Sequence, residues 1–348
     1  MLYPLKFKPQ FFEKIWGGQK IKTELGLDFG DMPNCGEAWL LSGLEESPSV
    51  VENGFLKDNT LDELVEIYMS DLVGEKAYKK FGLLFPLLIK WIDANDDLSV
   101  QVHPDDELAR EMYGNTLGKT EMWYIQNASP DAKLICGLKN GVSREMYEQR
   151  ANDNRILSLL KEHKVASQDA YYIPAGTVHS LRSGIILAEI QEASDLTFRI
   201  YDWDRKDASG KEREMHKEEA LKAINFEGSN EDKNGDNEEG GKVRYARNEN
   251  TPNSMIYSPF FQTNFLTLSQ PIVRDFSEQD SFVAYLCSEG SGVVKVGGNS
   301  EGVTIKKGEI MLIPAIFDDV YLLPDTSPPD ASLPENKKNL VLLETYLT

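Results

Sequence analysis

The sequence predicts a mainly β protein made of two related β-barrels, the second degenerate, with a small α-helical insertion. Three observations carry that prediction. From Phe85 onward, short segments of strand-like alternation dominate. The strand end Ile-Pro-Ala occurs twice, once from Ile173 and once from Ile313. Helical periodicity is confined to a few short stretches.

The elements follow in chain order. Thr60-Leu61-Asp62-Glu63 has the capping-box pattern, and Leu61, Leu64, Val65 and Tyr68 continue it at helical spacing. A helical segment is expected over about 59–80. In Leu98-Ser-Val-Gln-Val-His103, Leu98, Val100 and Val102 point one way and Ser99, Gln101 and His103 the other. A short helix is expected over 104–114, then a strand from Glu121 to Ile125. Residues 141–165 are expected to be helical, with Leu157, Leu159 and Leu160 supplying the apolar side. Strands resume at 170–173, 184–191 and 196–201. The stretch 228–242 is poor in apolar residues and rich in Gly, Asn and acid, which reads as a solvated loop or linker. Seven further short strands are expected between Met255 and Tyr346. The expected organisation is a metal-binding domain over 1–227, the linker over 228–242 and a degenerate β domain over 243–348.

The repeat carries a functional asymmetry. Ala170-Tyr-Tyr-Ile-Pro-Ala-Gly-Thr-Val-His179 aligns with Ile310-Met-Leu-Ile-Pro-Ala-Ile-Phe-Asp-Asp319. His179 thus falls on Asp319, so only the first copy keeps an imidazole there.

Composition bounds the function. With 41% hydrophobic and 27% charged residues the chain is globular. No run approaches the roughly 20 apolar residues of a spanning helix. The start of the sequence has no continuous apolar segment of the signal-peptide kind, so none is expected. Three widely spaced cysteines suit a reducing compartment and buried free thiols. A cytoplasmic protein without membrane attachment is expected, and a monomer by default. The net charge of −20 argues against nucleic acid. A small phosphorylated ligand would need a few local Lys or Arg residues.

Four histidines are few enough to weigh singly. His163 and His216 lie in charged, helix-like surroundings and read as surface residues. Gln101 and His103 share one face of a strand. His179 ends Pro174-Ala-Gly-Thr-Val-His179, where Pro and Gly set a tight turn before the imidazole. This is how cupin (jelly-roll) barrels present a metal ligand. Glu121 opens the next predicted strand. Two imidazoles, a carboxylate and an amide oxygen suit a divalent cation with an open position. Those ligand types fit zinc or non-haem iron alike. Arg199 sits on the polar side of its strand, where Asp195 or Asp202 are its candidate partners. Lys119, Lys90 and Glu189 are the other charged candidates, and Lys90 interrupts an apolar segment.

Gln101-Val-His103-Pro104, Gly118-Lys119-Thr-Glu121-Met-Trp, Tyr172-Ile-Pro-Ala-Gly-Thr-Val-His179 and Ile190-Gln-Glu-Ala-Ser-Asp-Leu-Thr-Phe-Arg199-Ile-Tyr-Asp-Trp resemble the type I mannose-6-phosphate isomerases, in their shorter bacterial branch. Trp16-Gly-Gly18 and Gly36-Glu37-Ala-Trp39 fit that family's N-terminal region. The likeness runs from about residue 3 to 206. It implies one zinc ion held by Gln101, His103, Glu121 and His179, with Arg199 as the active-site arginine. It also implies interconversion of the hexose 6-phosphates mannose 6-phosphate and fructose 6-phosphate. Lys119 and Glu189 are then candidates for proton transfer, and Lys90 and Ser99 for substrate binding. Thr120 stands where many members have Pro. Two other readings of the same ligands are an iron-dependent cupin oxygenase and a non-catalytic sugar-binding cupin.

Overall fold

The computed structural model describes residues 2–114, 116–152, 155–206, 210–227, 241–297, 301–325 and 339–348. The chain opens with β1 (Leu5–Lys6), β2 (Gln10–Phe12), the one-turn helix α1 (Lys20–Thr23) and β3 (Glu37–Ser42). A helical stretch follows as α2 (Leu61–Tyr68), α3 (Ser70–Val73) and α4 (Glu75–Phe81). The capping box forms as its sequence dictates, Glu63 accepting from the Thr60 N–H.

Next come β4 (Leu87–Ala94), β5 (Val100–Val102), α5 (Asp106–Tyr113), β6 (Glu121–Ala128) and β7 (Lys133–Leu138). After α6 (Arg144–Asn152) the chain forms β8 (Leu160–Lys164), β9 (Ala170–Ile173), β10 (His179–Leu181), β11 (Ile185–Glu192), β12 (Phe198–Tyr201) and α7 (Lys217–Ala223). The last part holds β13 (Lys242–Val243), β14 (Asn253–Tyr257), β15 (Gln262–Leu268), β16 (Ile272–Asp275), β17 (Val283–Glu289) and β18 (Ser291–Val296). It ends with β19 (Val303–Lys306), β20 (Ile310–Ile313), β21 (Asp319–Pro324) and β22 (Leu340–Tyr346).

These strands make four sheets, and their order repeats. The first pair is β13-β9-β6-β11-β4-β3-β2 and β12-β5-β10-β7-β8. The second pair is β1-β20-β17-β22-β15-β14 and β16-β21-β18-β19. Setting β9 on β20, as the Ile-Pro-Ala repeat requires, superimposes β6 on β17, β11 on β22, β4 on β15 and β3 on β14. The smaller sheets align as β5 on β16, β10 on β21, β7 on β18 and β8 on β19. Within each half the facing sheets share an interior. Trp123, Tyr171 and Leu187 meet Leu134 and Leu181 in the first, and Tyr285 and Leu342 meet Val294 and Leu322 in the second. The fold is therefore two jelly-roll units of mainly β structure with a helical insertion.

The two larger sheets share a third core, where Trp91, Tyr124 and Ile190 join Phe265, Leu286 and Leu312 along with α2 to α4. Trp91 Nε1 donates to the Gly308 carbonyl at 2.9 Å across that junction. Every residue of β4 and β11 is buried as a result. That double burial is why their apolar runs are nearly continuous.

Three differences from the sequence expectation have physical causes. The helix expected over 141–165 stops at Asn152, and Leu160–Lys164 pairs with β7 as an edge strand. Leu159 and Leu160 are buried, as a helix face would require, but Leu157 is largely exposed. A short apolar run is compatible with either period, and the ladder partner decided. Second, β1 pairs with β20 in the second half. Third, Lys242, expected in the linker, and Val243, expected to open the last β domain, pair with β9 in the first half. Most of the acidic stretch, 228–240, lies outside the described residues.

Candidate metal centre and cavity

His103 follows β5, Glu121 opens β6 and His179 opens β10. One ligand atom from each lies within 4.8 Å of the others. His103 Nε2 is 3.5 Å from Glu121 Oε2, and His179 Nε2 is 3.4 Å from Glu121 Oε1. All three are essentially inaccessible to solvent.

Backbone contacts aim them. His103 Nδ1–H donates to the Leu196 carbonyl at 2.7 Å, and His179 Nδ1–H to the Thr177 carbonyl at 2.8 Å. Each bond places the proton on Nδ1 and leaves Nε2 with a lone pair turned to the centre. Gly176 makes the turn before His179: it has φ +85°, and its N–H donates to the His103 carbonyl at 2.9 Å. The predicted Pro-Gly turn thus ties the two imidazoles together.

The donors fit a divalent cation. His103 Nε2 and both Glu121 oxygens are buried without a hydrogen-bond partner among the described residues. Orphaned buried polar atoms of this kind are costly unless something binds them. Burial, reinforced by Lys119 and the neighbouring imidazole, holds His103 neutral well below its usual range. Burial likewise lowers His179 to about 4. Neutral imidazoles are the form that binds a metal. Burial and the Glu189 charge together push Glu121 up to about 8, although Lys119 and Lys90 oppose the shift.

Gln101 extends the centre. It faces His179 in the β5–β10 ladder and Arg199 in the β5–β12 ladder, so the three lie in one row across adjacent strands. Its Nε2 is 3.3 Å from His179 Nε2, and its Oε1 accepts from Ser99 Oγ at 3.4 Å.

Above this floor lies a cavity of about 270 Å³ lined by Ser99, Gln101, Lys119, His179, Glu189, Arg199 and Lys90, among others. One wall comes from the larger sheet, where Trp39, Lys90, Glu189 and Trp123 stand in register across β3, β4, β11 and β6. Lys90 Nζ lies 2.9 Å from Glu189 Oε1 and 3.6 Å from Glu37 Oε2. Trp123 Nε1 donates to Glu189 at 2.7 Å, and Trp39 Nε1 to Glu37 at 2.8 Å. Burial alone would raise the two carboxyls. The Lys90 and Lys14 charges outweigh it at Glu37, holding it near 2, and Lys90 and Lys119 keep Glu189 below the usual range. Lys119 Nζ sits 3.5 Å from Glu121 and 3.9 Å from Glu189.

Thr120 uses the backbone donor that Pro would lack. Its N–H donates to Glu192 at 2.8 Å, and its hydroxyl accepts from the Ala175 N–H at 3.3 Å. The substitution anchors the loop carrying Lys119.

Arg199 pairs with neither Asp195 nor Asp202. Its Nη1 donates to the Glu214 carbonyl at 2.9 Å, and its buried Nε has no hydrogen-bond partner among the described residues. Asp202 instead holds Arg205 and Arg213. His216 is a support for this strand and no mere surface residue: its N–H donates to the Arg199 carbonyl at 2.8 Å, and its Nδ1 accepts from the Arg199 N–H at 3.1 Å. His163, half-buried on β8, donates from Nε2 to the Cys136 carbonyl at 3.2 Å. Sequence reasoning left out Lys14, Glu37 and Arg213 as cavity residues. The Glu37–Trp39 spacing on one strand face was the available signal for Glu37. Lys14 and Arg213 lie in irregular segments with no periodicity to read.

The second half has lost the centre. In the Ile173–Ile313 register, Glu121 falls on Val283, Trp123 on Tyr285, Glu189 on Glu344 and Lys90 on Asn264. Tyr285 and Asn264 still donate to Glu344, at 2.9 and 2.8 Å, as Trp123 does to Glu189. Val283 and Asp319 supply no ligand pair, and the Arg274 guanidinium closes bidentately on Glu344 at 2.8 and 2.9 Å. An internal cation has taken the carboxylate.

Fold and cavity floor together define a cupin of the metal-holding kind, with one working jelly roll and one closed. Residues 4–135 match the family model of the phosphomannose isomerase type I catalytic domain. The chain is 34% identical over 324 residues to a mannose-6-phosphate isomerase of Streptococcus mutans, covering 90% of this chain and 93% of that one. A crystal structure of the mannose 6-phosphate isomerase from Bacillus subtilis superimposes with a TM-score of 0.82 at 29% identity over 99% of both chains. A zinc-bound crystal structure of a mannose 6-phosphate isomerase shares the fold, with a TM-score of 0.74 at 16% identity over 99% of both chains. The chain belongs to the type I mannose-6-phosphate isomerase family.

Proposed function

We propose that this protein interconverts mannose 6-phosphate and fructose 6-phosphate, using one zinc ion held by His103, Glu121, His179 and the Gln101 amide. The observation that carries the reading is the row His179–Gln101–Arg199. It sets an unpartnered guanidinium Nε beside a buried donor set with unused lone pairs.

The reaction moves a proton from C2 to C1 and a hydroxyl proton from O2 to O1. When C2–H is removed, its electron pair forms the C1–C2 double bond of an enediolate. Reprotonation at C1 leaves a C2 carbonyl. When bound, zinc supplies a redox-inert Lewis acid for the sugar oxygens. Arg199 stabilises the negative charge that develops on those oxygens. Glu189, kept ionised by Lys90 and Lys119, takes and returns the carbon-bound proton. Lys119, between Glu121 and Glu189, serves the oxygen protons. Lys90 holds Glu189 in place, and Ser99 orients Gln101 and the sugar hydroxyls.

The oxygenase reading gives no role to this cationic wall. Among the described residues no helix is long and apolar enough to cross a membrane. The three buried free thiols support placing the activity in the cytoplasm. The deciding experiment is NMR of mannose 6-phosphate with zinc-loaded protein in deuterated buffer. Conversion to fructose 6-phosphate with deuterium entering at C1 or C2 is expected. Absence of both conversion and exchange would overturn the reading.

A further inference from the structure

The two walls of the cavity differ in how their charges are balanced. On the larger sheet, Lys90 lies against Glu189 and Glu37, and Lys119 lies near Glu121 and Glu189. These cations are already paired. On the opposite side two guanidiniums, Arg205 and Arg213, share one carboxylate, that of Asp202. Asp202 Oδ1 accepts from Arg205 at 2.9 Å, and Asp202 Oδ2 accepts from Arg213 Nε at 2.7 Å. Arg213 Nη2 also donates to Asp202 Oδ1. The Arg199 guanidinium donates to a carbonyl, that of Glu214, the residue next to Arg213. Both Arg199 and Arg213 line the cavity.

Two like charges held side by side at a half-buried wall repel each other. The fold nonetheless fixes both, one through Asp202 and the other through the Arg213–His216 segment docked on β12. Such an arrangement is stable once an anion lies between the guanidiniums, and a phosphate monoester dianion matches their forked geometry and charge. Burial first, and the Arg213 charge second, lower the pKa of Arg199 from its ordinary value.

We propose that Arg213 is the residue that reads the phosphate of the substrate, receiving it at the mouth of the cavity beside Arg199 and so setting preference for phosphorylated over neutral hexoses. This rests on the isomerase reading and assigns a role within it. Asp202 does not quench Arg213 but orients it, because it is shared with Arg205. The sugar then extends from the phosphate toward the floor formed by His103, Glu121 and His179.

The test compares wild type with Arg213→Ala, Arg213→Gln and Arg213→Lys, all zinc-loaded. Three quantities are read: kcat/KM on mannose 6-phosphate and on mannose, inhibition by inorganic phosphate, and calorimetric binding of inorganic phosphate. In Arg213→Ala, KM for mannose 6-phosphate should rise about 10–100-fold, the size of losing a charged hydrogen-bond partner. Preference over mannose should shrink by a similar factor, and phosphate should bind correspondingly more weakly. Arg213→Lys should recover part of the loss because it keeps the charge without the fork. If Arg213→Ala does not fold, Arg213→Gln retains a polar partner for Asp202 and carries the comparison. Unaltered KM and phosphate binding in a folded variant would overturn the proposal. So would equal losses on mannose and mannose 6-phosphate, which would mark Arg213 as a mere support for Arg199. A wild type that binds phosphate through Arg213 but does not isomerise would sink the functional reading alone.

Discussion

Lys90 and Glu189 face each other across the β4–β11 ladder with Nζ 2.9 Å from Oε1, both almost wholly buried. The double burial of this sheet turns an apolar-looking run into the support of a charged wall. Removing one member of such a pair leaves the other charge uncompensated in the interior. Lys90→Met, which strips the main cation from both Glu189 and Glu37, should lower stability by about 3–5 kcal/mol. Denaturant unfolding of the two proteins measures it; a loss under ~1 kcal/mol would mean that water, and not Lys90, balances these carboxylates.

Metal removal should show in stability as well as in activity. The unpartnered His103 and Glu121 atoms gain bonds only when a cation is present. A ligand at a thousand times its Kd adds about 4 kcal/mol to the folded state. Dialysis against a chelator should therefore lower Tm and abolish turnover, and added zinc should restore both. Equal melting curves with and without metal would contradict the assigned ligands.

Arg199 should matter to turnover and not to metal content. Its guanidinium lies in register with Gln101 but outside the group of ligand atoms. Arg199→Ala is expected to lower kcat by roughly 10²–10³, as for removal of one donor to a developing oxyanion. Metal analysis of the same variant should give the wild-type zinc content. Parallel loss of zinc and activity would refute the role.

The second jelly roll gives a control. Glu344 is fully buried and held by Arg274, Tyr285 and Asn264. Arg274→Met should destabilise by about 3–5 kcal/mol while leaving the zinc content intact. A variant with full stability but lost zinc would show that the two halves are coupled through this pair.

Glu192 predicts a pH effect on stability. Burial, with the Asp106 charge adding to it, pushes its carboxyl up to about 8, although the Thr120 N–H opposes the shift. A folded value above the unfolded 4.5 means its contribution is whole below about pH 4.5 and is lost as pH rises through about 8. The loss across that window is on the order of 2–5 kcal/mol at ~1.4 kcal/mol per unit. Glu192→Gln, which can still accept from Thr120, should flatten the stability profile between pH 5 and 8. An unchanged slope would show that Glu192 is ionised in the folded protein.

Much of the centre was legible because strand period and turn chemistry are local. Gln101 and His103 share a face by the two-residue repeat, and Pro174 and Gly176 fix the turn that presents His179. The Ile-Pro-Ala repeat pointed to two related halves, and the strand orders repeat accordingly. Residues 160–164 misled, since a five-residue apolar and charged run suits helix or strand until a partner ladder is present. His216 misled as well, because its bond to Arg199 is made by an irregular segment returning to β12.

By itself, then, the chain determined which side chains share a strand face, where the tight turns fall and which residue types can bind a cation. Tertiary structure alone decided that Lys90 is buried between two stacked sheets and that Arg199 pairs with no carboxylate among the described residues. It also decided that Arg213 reaches the cavity and that Arg274 closes the second one. Those outcomes depend on register between strands distant in sequence. Pairing energies of that kind arise only when the sheets have assembled.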